Sequence, residues 1–193
     1  MKIQTKINNK SFLFLILFST SFISLATIKK VNIQDIRISG SKLHTQDDVA
    51  NISTLKFPTR LIFIQTNLLE KELRQNLSLK NVSVSRQIFP FGLKVQVKTR
   101  NPIAYGERIL NGEKISGYID KDGVFINKQN VEEIELGSLN IQIFGWKERF
   151  KKTLSKILIA RDNYEFEIVK ITFSPNGFLT LEEKNLKKIF LGF

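Results

Sequence analysis

Leu93-Lys94-Val95-Gln96-Val97-Lys98-Thr99-Arg100-Asn101-Pro102-Ile103-Ala104 is the stretch on which the reading of the whole chain turns. Leu93, Val95 and Val97 alternate with Lys94, Gln96 and Lys98, the pattern of a strand with one face buried and one in solvent. Pro102 then interrupts regular pairing, because it has no N–H for a ladder and pushes Asn101 to an extended conformation. Residues before this point read as one folding unit behind an apolar leader. Residues after it read as a second.

A chain of 193 residues, 42% apolar and 25% charged, is long enough for one or two small globular domains. Its formal charge of +12 fits an anionic partner or surface, or simply solvated lysine faces. The absence of cysteine excludes disulfides, thiolate zinc sites and thiol catalysis.

Before the first unit, Ser11–Ile28 carries no charge and is rich in Phe, Leu and Ile. As a helix it would rise ~27 Å, close to the ~30 Å hydrocarbon core of a bilayer. Lys2, Lys6 and Lys10 precede it, which predicts a single transmembrane anchor at 11–28, a cytoplasmic tail at 1–10 and export of the remainder. A signal peptide cleaved after Ala26, at Ser24-Leu25-Ala26, is the rival reading and exports the same residues.

In the first unit Val31, Ile33, Ile36 and Ile38 predict one strand, stopped by the turn pair Ser39-Gly40. Thr45 precedes two acids as an N-cap should, and Val49, Ile52 and Leu55 then share a helical face up to Pro58. Asn67 with Glu70 predicts a capping box, followed by Leu69, Leu73 and Leu77 on one helical face. Val82 and Val84 predict a strand, Pro90-Phe91-Gly92 a turn, and Leu93–Val97 the return. The order strand, helix, helix, strand, strand gives a small sheet with both helices on one face.

This order, with Ile36-Arg37-Ile38-Ser39-Gly40 at its start and Arg100-Asn101-Pro102-Ile103-Ala104 at its exit, resembles the POTRA domain of the bacterial FtsQ/DivIB cell-division family. The family has Glu where this chain has Thr99. The resemblance implies a POTRA domain over 31–101 (β-α-α-β-β) and a β-rich domain over 102–193. The overall fold class is then α+β, with a small mixed α/β second domain built on a mainly antiparallel sheet.

In that second domain Gly117–Phe125 reads as strand, tight turn, strand, and Ile119-Asp120-Lys121-Asp122-Gly123 resembles the family's Ile-Asp-x-x-Gly turn. Leu139–Phe144 predicts a strand. Trp146, Phe150, Leu154, Ile157 and Leu158 predict one face of a basic helix. Ile168–Phe173 and Phe178–Leu181 flank the turn Ser174-Pro175-Asn176-Gly177, and Lys188–Leu191 is a last strand. In the family, further elements follow a Leu-Gly at this point, so the domain reads either as shortened or as an incomplete gene product, with an unpaired strand edge near Leu191.

No stretch carries a nucleophile–base pair, a phosphate loop or a set of metal ligands, so neither enzyme activity, a cofactor nor nucleic-acid binding is expected. Asp120-Lys121-Asp122-Gly123 lacks the later oxygen ligands of a calcium loop and reads as a solvated hairpin turn. His44, the only histidine, reads as a surface or loop residue, and Glu182-Glu183 as a solvated pair.

The family resemblance implies instead a non-enzymatic divisome scaffold at the septum, anchored by Ser11–Ile28 in the lipid bilayer of the inner membrane. Its partners would be coiled-coil membrane proteins of the FtsB and FtsL kind. Strand addition would use the edge offered by Leu179, Thr180 and Leu181 or by Ile189, Phe190 and Leu191. The alternative is a POTRA-bearing module for protein export or outer-membrane assembly.

Overall fold

The computed structural model describes residues 10, 12–14, 16–17, 29–131, 139–164, 167–185 and 188–191. Most of the expected anchor, Ser11–Ile28, lies outside this set. Among the described residues no helix is long and apolar enough to cross a membrane. The chain forms two compact units: residues up to Leu73 with Val82–Val97, and Arg74–Asn81 with Lys98 onward.

The first unit opens with β1 (Lys30–Val31), β2 (Ile36–Ser39) and helix α1 (Gln46–Ile52). Then come β3 (Thr59–Arg60), helix α2 (Thr66–Asn76), β4 (Asn81–Gln87) and β5 (Gly92–Lys98). The single strand expected over Val31–Ile38 is broken at a 3₁₀ turn, Ile33–Asp35. There the Asp35 carboxylate accepts the Asn32 N–H at 2.8 Å. The break sends β1 to a two-stranded ribbon with β3, and β2 to a three-stranded sheet of order β2-β5-β4. β2 runs parallel to β5, with Ile36 opposite Leu93 and Ile38 opposite Val95.

α1 starts where Thr45 predicts. Thr45 Oγ1 accepts the Asp48 N–H at 3.3 Å, and the Asp48 carboxylate accepts the Thr45 N–H at 2.7 Å. The expected capping box of Asn67 and Glu70 does not form. α2 already includes Thr66, and the Leu69 N–H donates to the Gln65 carbonyl at 3.1 Å, so Asn67 is inside the helix. α2 stops at Asn76, so Leu77 lies past its end rather than on its face. Ile36, Val49, Ile64, Leu69, Leu73, Leu93 and Val95 are all at most 1% exposed and form the core. Each such side chain contributes about 1.5–3 kcal/mol by leaving water.

The second unit contains β6 (Pro102–Leu110), β7 (Glu113–Asp120), β8 (Phe125–Asn127) and β9 (Ile141–Trp146). Helix α3 (Lys151–Tyr164), β10 (Ile168–Phe173), β11 (Leu179–Glu183) and β12 (Lys188–Leu191) complete it. The seven strands form one sheet of order β12-β11-β10-β9-β6-β7-β8. Pairings β10–β9 and β9–β6 are parallel, while the outer four are antiparallel. A parallel neighbour needs a crossover, and α3 is the crossover from β9 to β10.

Two readings change here. Pro102 does not interrupt pairing for long: it opens β6, whose hairpin with β7 closes at Asn111-Gly112 with φ of 53° and 84°. Both positive values belong to the turn type that Asn-Gly favours. Trp146 is not in the helix but ends β9, opposite Arg108. Its indole N–H donates to the Gly123 carbonyl at 2.9 Å. It still joins the same core, in which Trp146, Phe150, Leu154 and Leu158 pack with Ala104, Ile119, Ile143, Ile171 and Phe173.

Candidate partner-binding edge

A strand edge recruits a partner only if its outward backbone groups are free and its side chains do not repel one. Both edges of the three-stranded sheet are already engaged by side chains. On β2, the Ile36 carbonyl accepts from the Gln46 amide at 2.6 Å. On β4, the Val84 N–H donates to the Glu70 carboxylate at 2.7 Å. The guanidinium of Arg86, also on β4, reaches back to the Ile64 carbonyl at 2.7 and 3.1 Å.

Among the described residues, the outermost strands of the seven-stranded sheet are β8 and β12. β8 is three residues long, with Phe125 and Ile126 buried, and runs straight into a 3₁₀ turn. β12 differs in every respect: all four residues are exposed, with Ile189 at 47%, Phe190 at 74% and Leu191 at 42%.

Of the six residues predicted for partner binding, only Ile189, Phe190 and Leu191 lie on the edge. Leu179, Thr180 and Leu181 belong to β11, which is hydrogen-bonded on both sides, to β10 and to β12. Registers Leu181↔Ile189 and Leu179↔Leu191 put Ile189 and Leu191 on the face that carries buried Leu179. Thr180↔Phe190 puts Phe190 on the other face. The edge is therefore apolar on both faces. On the Phe190 side Glu182 bridges Lys170 and Lys188, each at 3.5 Å, so this glutamate is an ion-pair centre rather than a solvated acid.

The hairpin turn at Asp120 is not solvated either. Asp120 is 3% exposed, and its carboxylate accepts from Arg100 and from the Val124 N–H at 2.9 Å. Arg100 also meets Asp122 at 3.3 Å, and Lys80 approaches Asp122 at 3.6 Å. Gly123, at φ +75°, completes the turn; a Cβ there would lie 2.4 Å from the Lys151 carbonyl oxygen. These contacts build the turn.

His44 is buried rather than on the surface, with Nε2 lacking a hydrogen-bond partner. Burial lowers its pKa below the usual 6.5, against the opposing pull of the Asp48 carboxylate. A cleft of about 660 Å³ is lined by Arg161, Asp162, Glu167 and Lys184 together with Asn140 and apolar residues. Lys184 pairs with Glu167 at 3.2 Å. This is a surface ion pair beside a groove, with no nucleophile–base arrangement among its lining residues.

The family model described as "POTRA domain, FtsQ-type" matches residues 31–100. Cell division protein DivIB of Clostridium acetobutylicum is 30% identical over 110 residues, covering 56% of this chain and 42% of that protein. The chain thus spans less than half the length of this relative. Residues 31–100 thus match an FtsQ-type POTRA domain, and the chain is similar over 110 residues to a DivIB cell division protein.

Proposed function

We propose that this chain is a non-enzymatic scaffold of the bacterial division machinery. In this reading it is held in the inner membrane by Ser11–Ile28, with its N-terminus cytoplasmic and Lys29 onward outside. Similarity to a cell division protein supports the process. The uncharged Ser11–Ile28 run, close to one bilayer in helical length, supports the anchor. The observation that carries the partner reading is β12, an exposed edge strand apolar on both faces. A partner strand placed beside β12 would gain main-chain hydrogen bonds and cover Ile189, Phe190 and Leu191. The family suggests partners among membrane proteins of the FtsB and FtsL kind.

The test is depletion in the native host, complemented by a fluorescent fusion. The expected result is septal bands, with filaments or swollen undivided cells on depletion. Phe190→Asp with Leu191→Asp should abolish co-purification of the partner membrane proteins while leaving the thermal unfolding of the chain nearly unchanged. A uniform envelope signal with normal division would refute the scaffold. Unchanged partner recovery from the double variant would refute the edge.

A further inference from the structure

The connection between β4 and β5 is Ile88-Phe89-Pro90-Phe91. Turns at hairpin tips normally carry Gly, Asn, Asp or Ser, which satisfy turn geometry and stay hydrated. Here Phe89 is 91% exposed and Ile88 52% exposed. Phe91 lies under the ammonium of Lys29, 4.6 Å from the ring centroid. Lys29 is the first residue after the uncharged run Ser11–Ile28. The tip is therefore fixed beside the point where the chain leaves its most apolar segment.

The surroundings of the tip are cationic. Lys30 follows Lys29. Arg37 donates to the Pro90 carbonyl at 3.2 Å and to the Gln87 side chain at 3.4 Å. Lys94 stands opposite Arg37 in the β2–β5 register. Asp35 also approaches Gly92, but its carboxylate is turned to the Asn32 N–H. Two exposed apolar side chains on a tip that Lys29 and Arg37 contact fit the boundary between anionic headgroups and acyl chains: the apolar tips enter and the cations stay with the phosphates.

We infer that the β4–β5 tip is a second membrane contact, in which Ile88 and Phe89 enter the interface of an anionic bilayer while Lys29, Lys30, Arg37 and Lys94 meet its phosphates. The inference rests on Ser11–Ile28 being the membrane anchor, which puts Lys29, and with it Phe91, at headgroup level. A single helix leaves the unit behind it free to swivel. A second contact at the tip fixes the orientation of the β2-β5-β4 sheet to the membrane.

With no native cysteine, one introduced thiol reports one site. Full-length chain is reconstituted in phosphatidylglycerol-containing vesicles with an environment-sensitive fluorophore at Phe89→Cys, at Leu17→Cys in the anchor, or at Phe178→Cys. Phe178 is exposed and outside the first unit, and serves as the reference. The label at 89 should emit to the blue of that at 178, and lipid carrying a nitroxide near the headgroup should quench it several-fold more. The difference should shrink in zwitterionic vesicles and with Lys29→Gln plus Lys30→Gln. Equal quenching at 89 and 178, with 17 quenched by a deep nitroxide, overturns the tip contact alone. Undiminished quenching at 89 in zwitterionic vesicles overturns the dependence on an anionic surface. No quenching at 17 overturns the anchor, and with it the placement of Lys29 at headgroup level.

Discussion

Replacing Asp120 by Ala should be among the most damaging single changes in the second unit. The side chains of Arg100 and Asp120 are 13% and 4% exposed, so the pair is largely out of water. Removing one member of such a pair leaves the other charge without compensation, at a cost of about 3–5 kcal/mol. Asp122 can take over part of Arg100, but it sits 45% exposed at 3.3 Å and offers a weaker, screened contact. The Nε of Arg100 already lacks a partner, so the guanidinium has no second buried acceptor to turn to. Asp120→Ala also frees the Val124 N–H, loosening the turn itself. Urea unfolding followed by the fluorescence of Trp146 is the appropriate assay, because this sole tryptophan is bonded to Gly123 in the same turn. With a urea slope of about 2 kcal/mol per molar, the midpoint should fall by about 2 M. Asp122→Ala should move it by under about 0.5 M, as expected of an exposed pair. Arg100→Met combined with Asp120→Leu should recover much of the loss, since a well-packed apolar pair often replaces a buried ion pair without cost. If Asp120→Ala shifts the midpoint no further than Asp122→Ala, the buried pair is not what holds this turn.

Gly123→Ala should destabilise the same unit by more than about 2 kcal/mol, since an L-residue at φ +75° is strained by about 1–2 kcal/mol and its Cβ would also strike the Lys151 carbonyl. Glu70→Ala should cost the first unit about 1.5–3 kcal/mol and should speed amide exchange at Val84, whose N–H loses a charged acceptor. Thr45→Ala should cost about 1 kcal/mol through loss of the α1 cap, measurable by thermal unfolding. His44 has a lowered pKa in the folded chain, so the unfolded chain binds its proton more readily. Stability should therefore be insensitive to this group above the unfolded value of 6.5 and should fall as pH drops below it. His44→Gln should flatten that part of the pH–stability curve.

The POTRA order was legible because its signals are local and agree with one another: Thr45 before two acids, leucines four apart in α2, alternation in β5. The misreadings share a cause. Val31–Ile38 looks like one strand by apolar count, yet Asn32 and Asp35 bond to each other and turn the chain. Asn67 and Glu70 have capping-box spacing, yet the helix began earlier and Glu70 found a strand N–H fourteen residues away. Trp146 fits helical spacing with Phe150 and Leu154, but the parallel ladder with β6 holds it in the strand. In each case a bonding partner overrode the simple pattern, and a single sequence does not display such partners. β6 was the avoidable miss, because Asn111-Gly112 between two alternating runs is a hairpin signal. At the candidate edge, apolar content alone could not separate β11 from β12; only the pairing of β11 on both sides does so.

Arg100-x-Pro102 and Ile119-Asp120-x-x-Gly123 stood in the sequence as two separate motifs, about twenty residues apart. The β6–β7 hairpin makes them one. Its two-residue turn at Asn111-Gly112 sets a register in which Pro102 faces Asp120, so the residue two before the proline lies beside the carboxylate. Asp120 in turn accepts the Val124 N–H and so shapes the tight turn whose Gly123 carbonyl takes the Trp146 indole N–H. Gly123 itself permits the close approach of the first turn of α3 at Lys151. One ion pair thus connects the start of β6, the turn into β8, the end of β9 and the start of α3. That connection gives the arginine, the aspartate and the glycine at these spacings one shared structural role. It also means that the hairpin length, rather than any one residue, is the quantity the two motifs jointly specify.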